Sequence, residues 1–297
     1  MPVPNALQIM PTPIHYSSQD GLDLFAAEYG PKDAPLTVLC MHGLTRNHKD
    51  FEPMIAGLGT SYRFISVDVR GRGQSDRSAD SADYTPAVYA RDMMDLLDTL
   101  GVNRTVLIGT SMGGLMAMIM AKMQKDRIAG IVLNDVGPEL NQTGLDRIAS
   151  YVSDVEPLPG WDEAAKAVAS AQSSVFPHYT KDDWMAFARR TYRTNDKGGV
   201  ILDYDPAITR GVADAKPSRV ATFAAWRLFG AMKRIPLLIV RGETSDILSQ
   251  HVVDRMLRRH KDASAVTVPA VGHAPMLDET VALGAIRTFL DRLAGAH

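Results

Sequence analysis

Three residue types in this chain have the spacing that nucleophilic acyl transfer needs. Ser111 sits in GTSMGG (109–114), directly after the apolar run Thr105–Ile108 and directly before LMAMIMA (115–121). A G-x-S-x-G between a strand and a helix marks a sharp, strained turn that lifts the hydroxyl above a sheet edge. Gly109 and Gly113 are expected because a Cβ at either place would strike the opposite arm of the turn. A serine hydroxyl is a poor nucleophile until a base takes its proton. Among the eight histidines, His273 lies in a glycine-containing loop between a late strand and the last amphipathic helix, and is expected to be that base. His15, His48, His178, His251, His260 and His297 fall at surface, helical or terminal positions and are expected to be solvated.

The base needs a carboxylate to fix its tautomer and to stabilise the imidazolium. Asp246, in the loop beyond PLLIV (236–240), is the expected partner, since Ser, Asp, His is the chain order that goes with this turn. Asp135, just past the strand ending at Leu133, is the geometric alternative, and Glu243 is a third candidate nearer its strand end. Oxyanion donors are expected from backbone N–H groups. Met112 follows the nucleophile and supplies one. Leu44, in the early loop LCMHGLTRN (39–47), supplies the other. His42 in that loop reads as bonding within it rather than as a second base. His42, Trp184, Phe223 and Trp226 are the candidate substrate-binding residues. Arg189, Arg190, Arg193, Arg210, Arg219 and Arg227 are available to a substrate carboxylate, although most are expected to face solvent.

These residues must be held by strands and helices in alternation. LTVLCM (36–41), YRFISV (62–67), RTVLIG (104–109), IAGIVL (128–133), PLLIV and SAVTV (264–268) are near-continuous apolar runs, as expected of a parallel sheet covered on both faces. Between them, Met93, Leu96, Leu97 and Leu100 recur at helical spacing, as do Ala282, Ala285, Ile286, Phe289, Leu290 and Leu293. The architecture expected is a doubly wound, mostly parallel α/β sheet. From about Pro138 to Arg234 no sheet strand is recognisable. Helical stretches there carry all three tryptophans. The expected division is therefore a core of residues 1–137 and 235–297, with a helical cap at 138–234.

Composition removes several function classes. A net charge of −2 over 297 residues, without a basic-aromatic cluster, gives no electrostatic reason for a nucleic-acid or membrane partner. The lone Cys40 excludes an intrachain disulfide framework, and no metal-ligand spacing occurs. The proline-rich start is unlike a signal peptide, no apolar run approaches a membrane span, and a cytoplasmic protein is the default expectation.

MHGLT (41–45), DVRGRGQSD (68–76), GTSMGG, RGETSD (241–246) and VGHAP (271–275) occur in the order and spacing of the α/β-hydrolase fold superfamily, which the chain resembles from about residue 20 to 293. One departure is Arg72, where histidine is more usual. The resemblance implies a cap inserted after the sixth core strand, a Ser-His-Asp mechanism and no cofactor. Ser111 stands where haloalkane dehalogenases and epoxide hydrolases carry aspartate, which argues against both. Meta-cleavage-product hydrolases share S-M-G-G but follow the histidine with tryptophan, whereas here Ala274 and Pro275 follow. Carboxylesterases and enol-lactonase-like enzymes of bacteria are the most similar, which implies a small, partly apolar ester or lactone as substrate. A C–C bond hydrolase and a non-catalytic receptor on the same fold are the alternatives.

Overall fold

A computed structural model describes residues 10–151, 156–209 and 218–295. Arg210 and His297, named above, lie outside the described residues. The main sheet is built from β1 (Thr12–Ser17), β2 (Asp23–Tyr29), β3 (Thr37–Met41), β4 (Arg63–Asp68), β5 (Thr105–Thr110) and β6 (Ile128–Asn134). Two further short strands, β7 (Tyr192–Thr194) and β8 (Val200–Leu202), form a separate antiparallel pair. β9 (Leu237–Gly242) and β10 (Ala263–Val268) complete the main sheet, whose order is β1-β2-β4-β3-β5-β6-β9-β10. β1, β2 and β4 pair antiparallel, and every later neighbour pairs parallel.

All six strands expected from apolar runs are present. β1 and β2 were not expected, and their sequences explain why. Along β1 only Tyr16 is buried, as suits an edge strand. β2 carries a buried Glu28 that becomes tolerable only because Arg63 on β4 donates to it at 2.6 Å.

Helices α1 (Glu52–Leu58), α2 (Pro86–Thr99) and α3 (Met112–Gln124) follow the first parallel strands. Thr85 caps α2, its side chain accepting from Val88 N, with Pro86 at the first helical position. α3 is apolar nearly all round and central, with Met116, Ala117, Met118 and Met120 fully buried. The 138–234 stretch contains α4 (Gln142–Tyr151), α5 (Trp161–Gln172), α6 (Lys181–Thr191) and α7 (Arg219–Ala231). α8 (Gln250–Arg259) and α9 (Thr280–Ala294) complete the chain, and α9 buries Ala282, Ile286, Phe289, Leu290 and Leu293.

The β7–β8 pair corrects the expectation of a strand-free insertion. Its turn runs through Asn195 and Gly198, the latter at φ 80°, a conformation that favours glycine. Three-residue strands lie below what hydrophobic periodicity resolves, but the turn residues between YRT and VIL were a legible sign. Within the insertion, Phe176, Phe187, Tyr192 and Val200 share one cluster. α7 behaves differently: Phe229 and nearby Met232 pack into the cluster that contains α3 and one face of the main sheet.

Candidate active site

Ser111 is the pivot between β5 and α3. Its backbone has φ 51° and ψ −109°, left-handed for a residue with a Cβ and therefore strained. Its N–H donates to Asn134 O at 2.9 Å, and its carbonyl accepts from Gly114 N at 2.9 Å, so both arms of the turn are held. A Cβ at position 109 would stand 2.4 Å from the backbone of Gly113, the clash across the turn that the motif implied. The restriction at Gly113 has another origin: a Cβ there would lie 2.0 Å from Met41 O on the neighbouring β3.

His273 reaches this hydroxyl from the loop after β10. Its Nε2 is 3.0 Å from Ser111 Oγ, and its Nδ1 is 2.8 Å from Asp135 Oδ2. A carboxylate only accepts, so Nδ1 carries the proton and Nε2 is left to take the one from Ser111. His273 and Asp135 are both buried. Gly242 N donates to Asp135 Oδ1 at 2.9 Å, and Ser245 Oγ donates to Oδ2 at 2.5 Å. Three donors, one from the end of β9 and two from loops, thus orient one carboxylate. Asn134 ties the same region together, its side-chain amide donating to Thr110 Oγ1 at 3.0 Å and to Pro275 O at 2.8 Å.

The partner of His273 is therefore Asp135 and not Asp246, which corrects the expected assignment. Asp246 turns toward α4, where Arg147 donates to it from Nε at 2.5 Å and from Nη2 at 2.9 Å. Burial raises the Asp246 pKa, but the Arg147 hydrogen bonds and charge outweigh this and hold the carboxyl below its ordinary range. Glu243 has a local role, accepting from Ala270 N at 2.7 Å. The residue in RGETSD that touches the His273 partner is Ser245, and nothing in its type distinguished it beforehand.

Leu44 and Met112 both flank Ser111. Among the described residues, neither backbone N–H donates to another protein group, whereas Arg46 N donates to Gly43 O and both Gly114 N and Leu115 N donate to Ser111 O. His42 lies apart from the pocket. Its Nδ1 donates to Gly43 O at 2.7 Å and its Nε2 accepts from Val69 N at 3.1 Å. Burial, with a lesser contribution from the Arg72 charge, lowers its pKa to about 4, so this tautomer stays neutral. It is a structural residue of the loop. Two histidines expected in solvent are also buried: His48, 2.8 Å from Asp68 Oδ1, and His260, 2.9 Å from Met232 O.

A cavity of about 90 Å³ lies over the serine, walled by Leu44, Ser111 and His273 from the sheet edge and by Ile148, Phe176 and Phe187 from the insertion. Trp184 does not line it; its ring packs edge-on or tilted in the aromatic cluster of Phe176, Tyr179 and Phe187. Phe223 and Trp226 line a different, open groove between α7 and α8, where Arg255 and Arg259 stack on Trp226. Three of the four candidate substrate residues thus lie elsewhere because the helical phase of the insertion is set by its packing, and His42 because its loop consumes both ring nitrogens. The arginine at the cavity wall is Arg46, from the early loop, with its guanidinium 3.9 Å over the Phe187 ring and donating to Asp50. Arg189 instead stacks on Trp161 at 4.5 Å, and Arg193 pairs with Asp203 at 3.4 Å. Arg219 and Arg227 line the outer groove. No group of three or more metal-ligating side chains is found among the described residues.

A family model described as the alpha/beta hydrolase fold matches residues 37–280. The chain is 35% identical over 253 residues to a 3-hydroxybutyrate-oligomer hydrolase of Cupriavidus necator, covering 84% of this chain and 86% of that protein. It is 29% identical over 255 residues to a 2-(acetamidomethylene)succinate hydrolase of Mesorhizobium japonicum, covering 86% and 87% respectively. A crystal structure of an alpha/beta hydrolase from Novosphingobium aromaticivorans superposes with a TM-score of 0.89 at 38% identity, covering 96% of this chain and 99% of that one.

Proposed function

From the premise that the chain belongs to the alpha/beta hydrolase fold family and is a hydrolase, we propose that it cleaves carboxylic esters through an acyl-enzyme formed on Ser111. The observation that carries this reading is the unbroken path Ser111 Oγ–His273–Asp135, at 3.0 and 2.8 Å, ending on a serine with a left-handed backbone. His273 takes the hydroxyl proton as Ser111 attacks the ester carbonyl, and the Leu44 and Met112 amides hold the oxyanion. The imidazolium, stabilised by Asp135, returns the proton to the leaving alkoxide. Water activated by the same histidine then releases the acid, so no metal or organic cofactor takes part in the scheme.

The small cavity favours a short acyl group, since a pocket for a larger ligand typically encloses some hundreds of Å³. Similarity to a 3-hydroxybutyrate-oligomer hydrolase supports short hydroxyacyl oligoesters as the substrate class. The division into a core (1–137 and 235–297) and a cap (138–234) belongs to this proposal, with Ile148, Phe176 and Phe187 as the cap's contribution to the acyl site.

The test is hydrolysis of p-nitrophenyl esters of two to eight acyl carbons, beside linear 3-hydroxybutyrate dimers and trimers. Turnover should be highest for the shortest acyl groups and fall by ~10⁴–10⁶ in Ser111→Ala. Wild-type turnover in that variant would overturn the proposal.

A further inference from the structure

We propose that Arg72 is a positioning residue for both oxyanion donors, and that its uncompensated charge stabilises the tetrahedral intermediate. The proposal rests on the serine-esterase reading above. Arg72 is 1% exposed, and every acceptor it reaches is neutral. Its Nε donates to Leu44 O at 2.9 Å, and its Nη1 donates to Arg70 O at 2.8 Å and to Tyr89 Oη at 3.0 Å. Its Nη2 lies 3.6 Å from Met112 Sδ. One guanidinium therefore touches both residues whose backbone amides are proposed as oxyanion donors.

Arg70, two residues earlier, shows what an ordinary buried arginine looks like in this loop. Its guanidinium is neutralised by Asp92 at 2.7 Å and by Asp20 at 2.7 and 2.9 Å. Arg72 has no carboxylate oxygen within ion-pair distance among the described residues, although the Tyr89 ring lies 4.8 Å beneath it. Burying a cation without an anion is costly. Where negative charge appears transiently beside it, the same cost becomes differential stabilisation of that state, because the charge is already in place and needs no reorganisation.

Its position is also enforced from outside. Gly73 N donates to Asp203 O at 2.9 Å and Asp205 N donates to Gly71 O at 2.7 Å, so the segment after β8 clamps the Arg72 loop against the core. Arg72 thus spans from the early loop to the start of α3.

The experiment compares Arg72→Met and Arg72→Lys with wild type in three readouts: kcat, KM, and inhibition by a short alkyl boronic acid, which forms a tetrahedral anionic adduct on a nucleophilic serine. Arg72→Met should lower kcat by about 10²-fold, leave KM within about threefold, and weaken the boronate by a similar factor. Arg72→Lys, which keeps the charge but not the geometry, should recover part of both losses. Should Arg72→Met fail to fold, Arg72→Lys alone is read, with kcat and boronate affinity falling together by about tenfold. A kcat within threefold of wild type, a loss confined to KM, or an unchanged boronate affinity would overturn the proposal. If Ser111→Ala abolishes turnover while Arg72→Met is indifferent, only this inference falls. If Ser111→Ala is itself active, the underlying reading falls instead.

Discussion

Asp135 and Asp246 stand just beyond neighbouring parallel strands, β6 and β9, and both lie close enough to His273 to exchange charge interactions with it. Asp135 is fully buried, accepts three hydrogen bonds and, among the described residues, has no arginine or lysine partner. Asp246 is partly exposed and held by Arg147 of α4. Among the described residues the first carboxylate has no permanent cation beside it, so in the proposed mechanism its stabilising power is directed at a charge that forms only when His273 takes a proton. The second is already neutralised, and ties α4 to the loop after β9. In the proposed mechanism, orientation by neutral donors marks the working carboxylate and pairing with a guanidinium marks the structural one.

Replacing each in turn should break the apparent symmetry. Asp135→Asn should lower ester turnover by ~10⁴, because an amide at this place favours the wrong imidazole tautomer, while KM stays near wild type. Steady-state kinetics on a short p-nitrophenyl ester measure it. Asp246→Asn should change kcat by less than about threefold, the scale of a partly exposed ion pair. Its effect should be seen instead in faster hydrogen exchange of the α4 amides.

Acidification sharpens the contrast further. A carboxyl held below its ordinary pKa in the folded protein contributes stability above the unfolded value, about 3.9, and loses it as pH falls through the lower folded value. The Arg147–Asp246 link is therefore expected to persist from pH 8 down to about pH 4 and to fail only below it. Exchange protection of α4 should be flat over the upper range and drop at the acid end, and Asp246→Asn should remove that drop.

Much of the site was legible because its constraints are local. The glycines around Ser111 are dictated by backbone contacts within a few residues or across one strand, and His273 by its loop between a strand and a helix. The choice of carboxylate was not local. Asp135 and Asp246 both follow apolar strands, and which one meets the histidine depends on Ser245 and Gly242 on one side and Arg147 on the other, contacts separated by about a hundred residues or more. The insertion was least legible. Its aromatic residues satisfy a helical pattern whichever face meets the cavity, so Phe187 and Trp184 on α6 were indistinguishable by type, although only Phe187 walls the pocket. β1 and β2 escaped for a related reason, since an edge strand and a strand with a buried Glu28 lack a continuous apolar run.

The most direct test of the central claim, that His273 works with Asp135, needs no knowledge of the substrate. It is the rate at which a fluorophosphonate labels Ser111 in Asp135→Asn and in Asp246→Asn, followed by intact-protein mass. Labelling slowed by roughly 10³–10⁴ in the first and unchanged in the second is the expected result. Slow labelling of Asp246→Asn with a normal rate in Asp135→Asn would contradict the assignment.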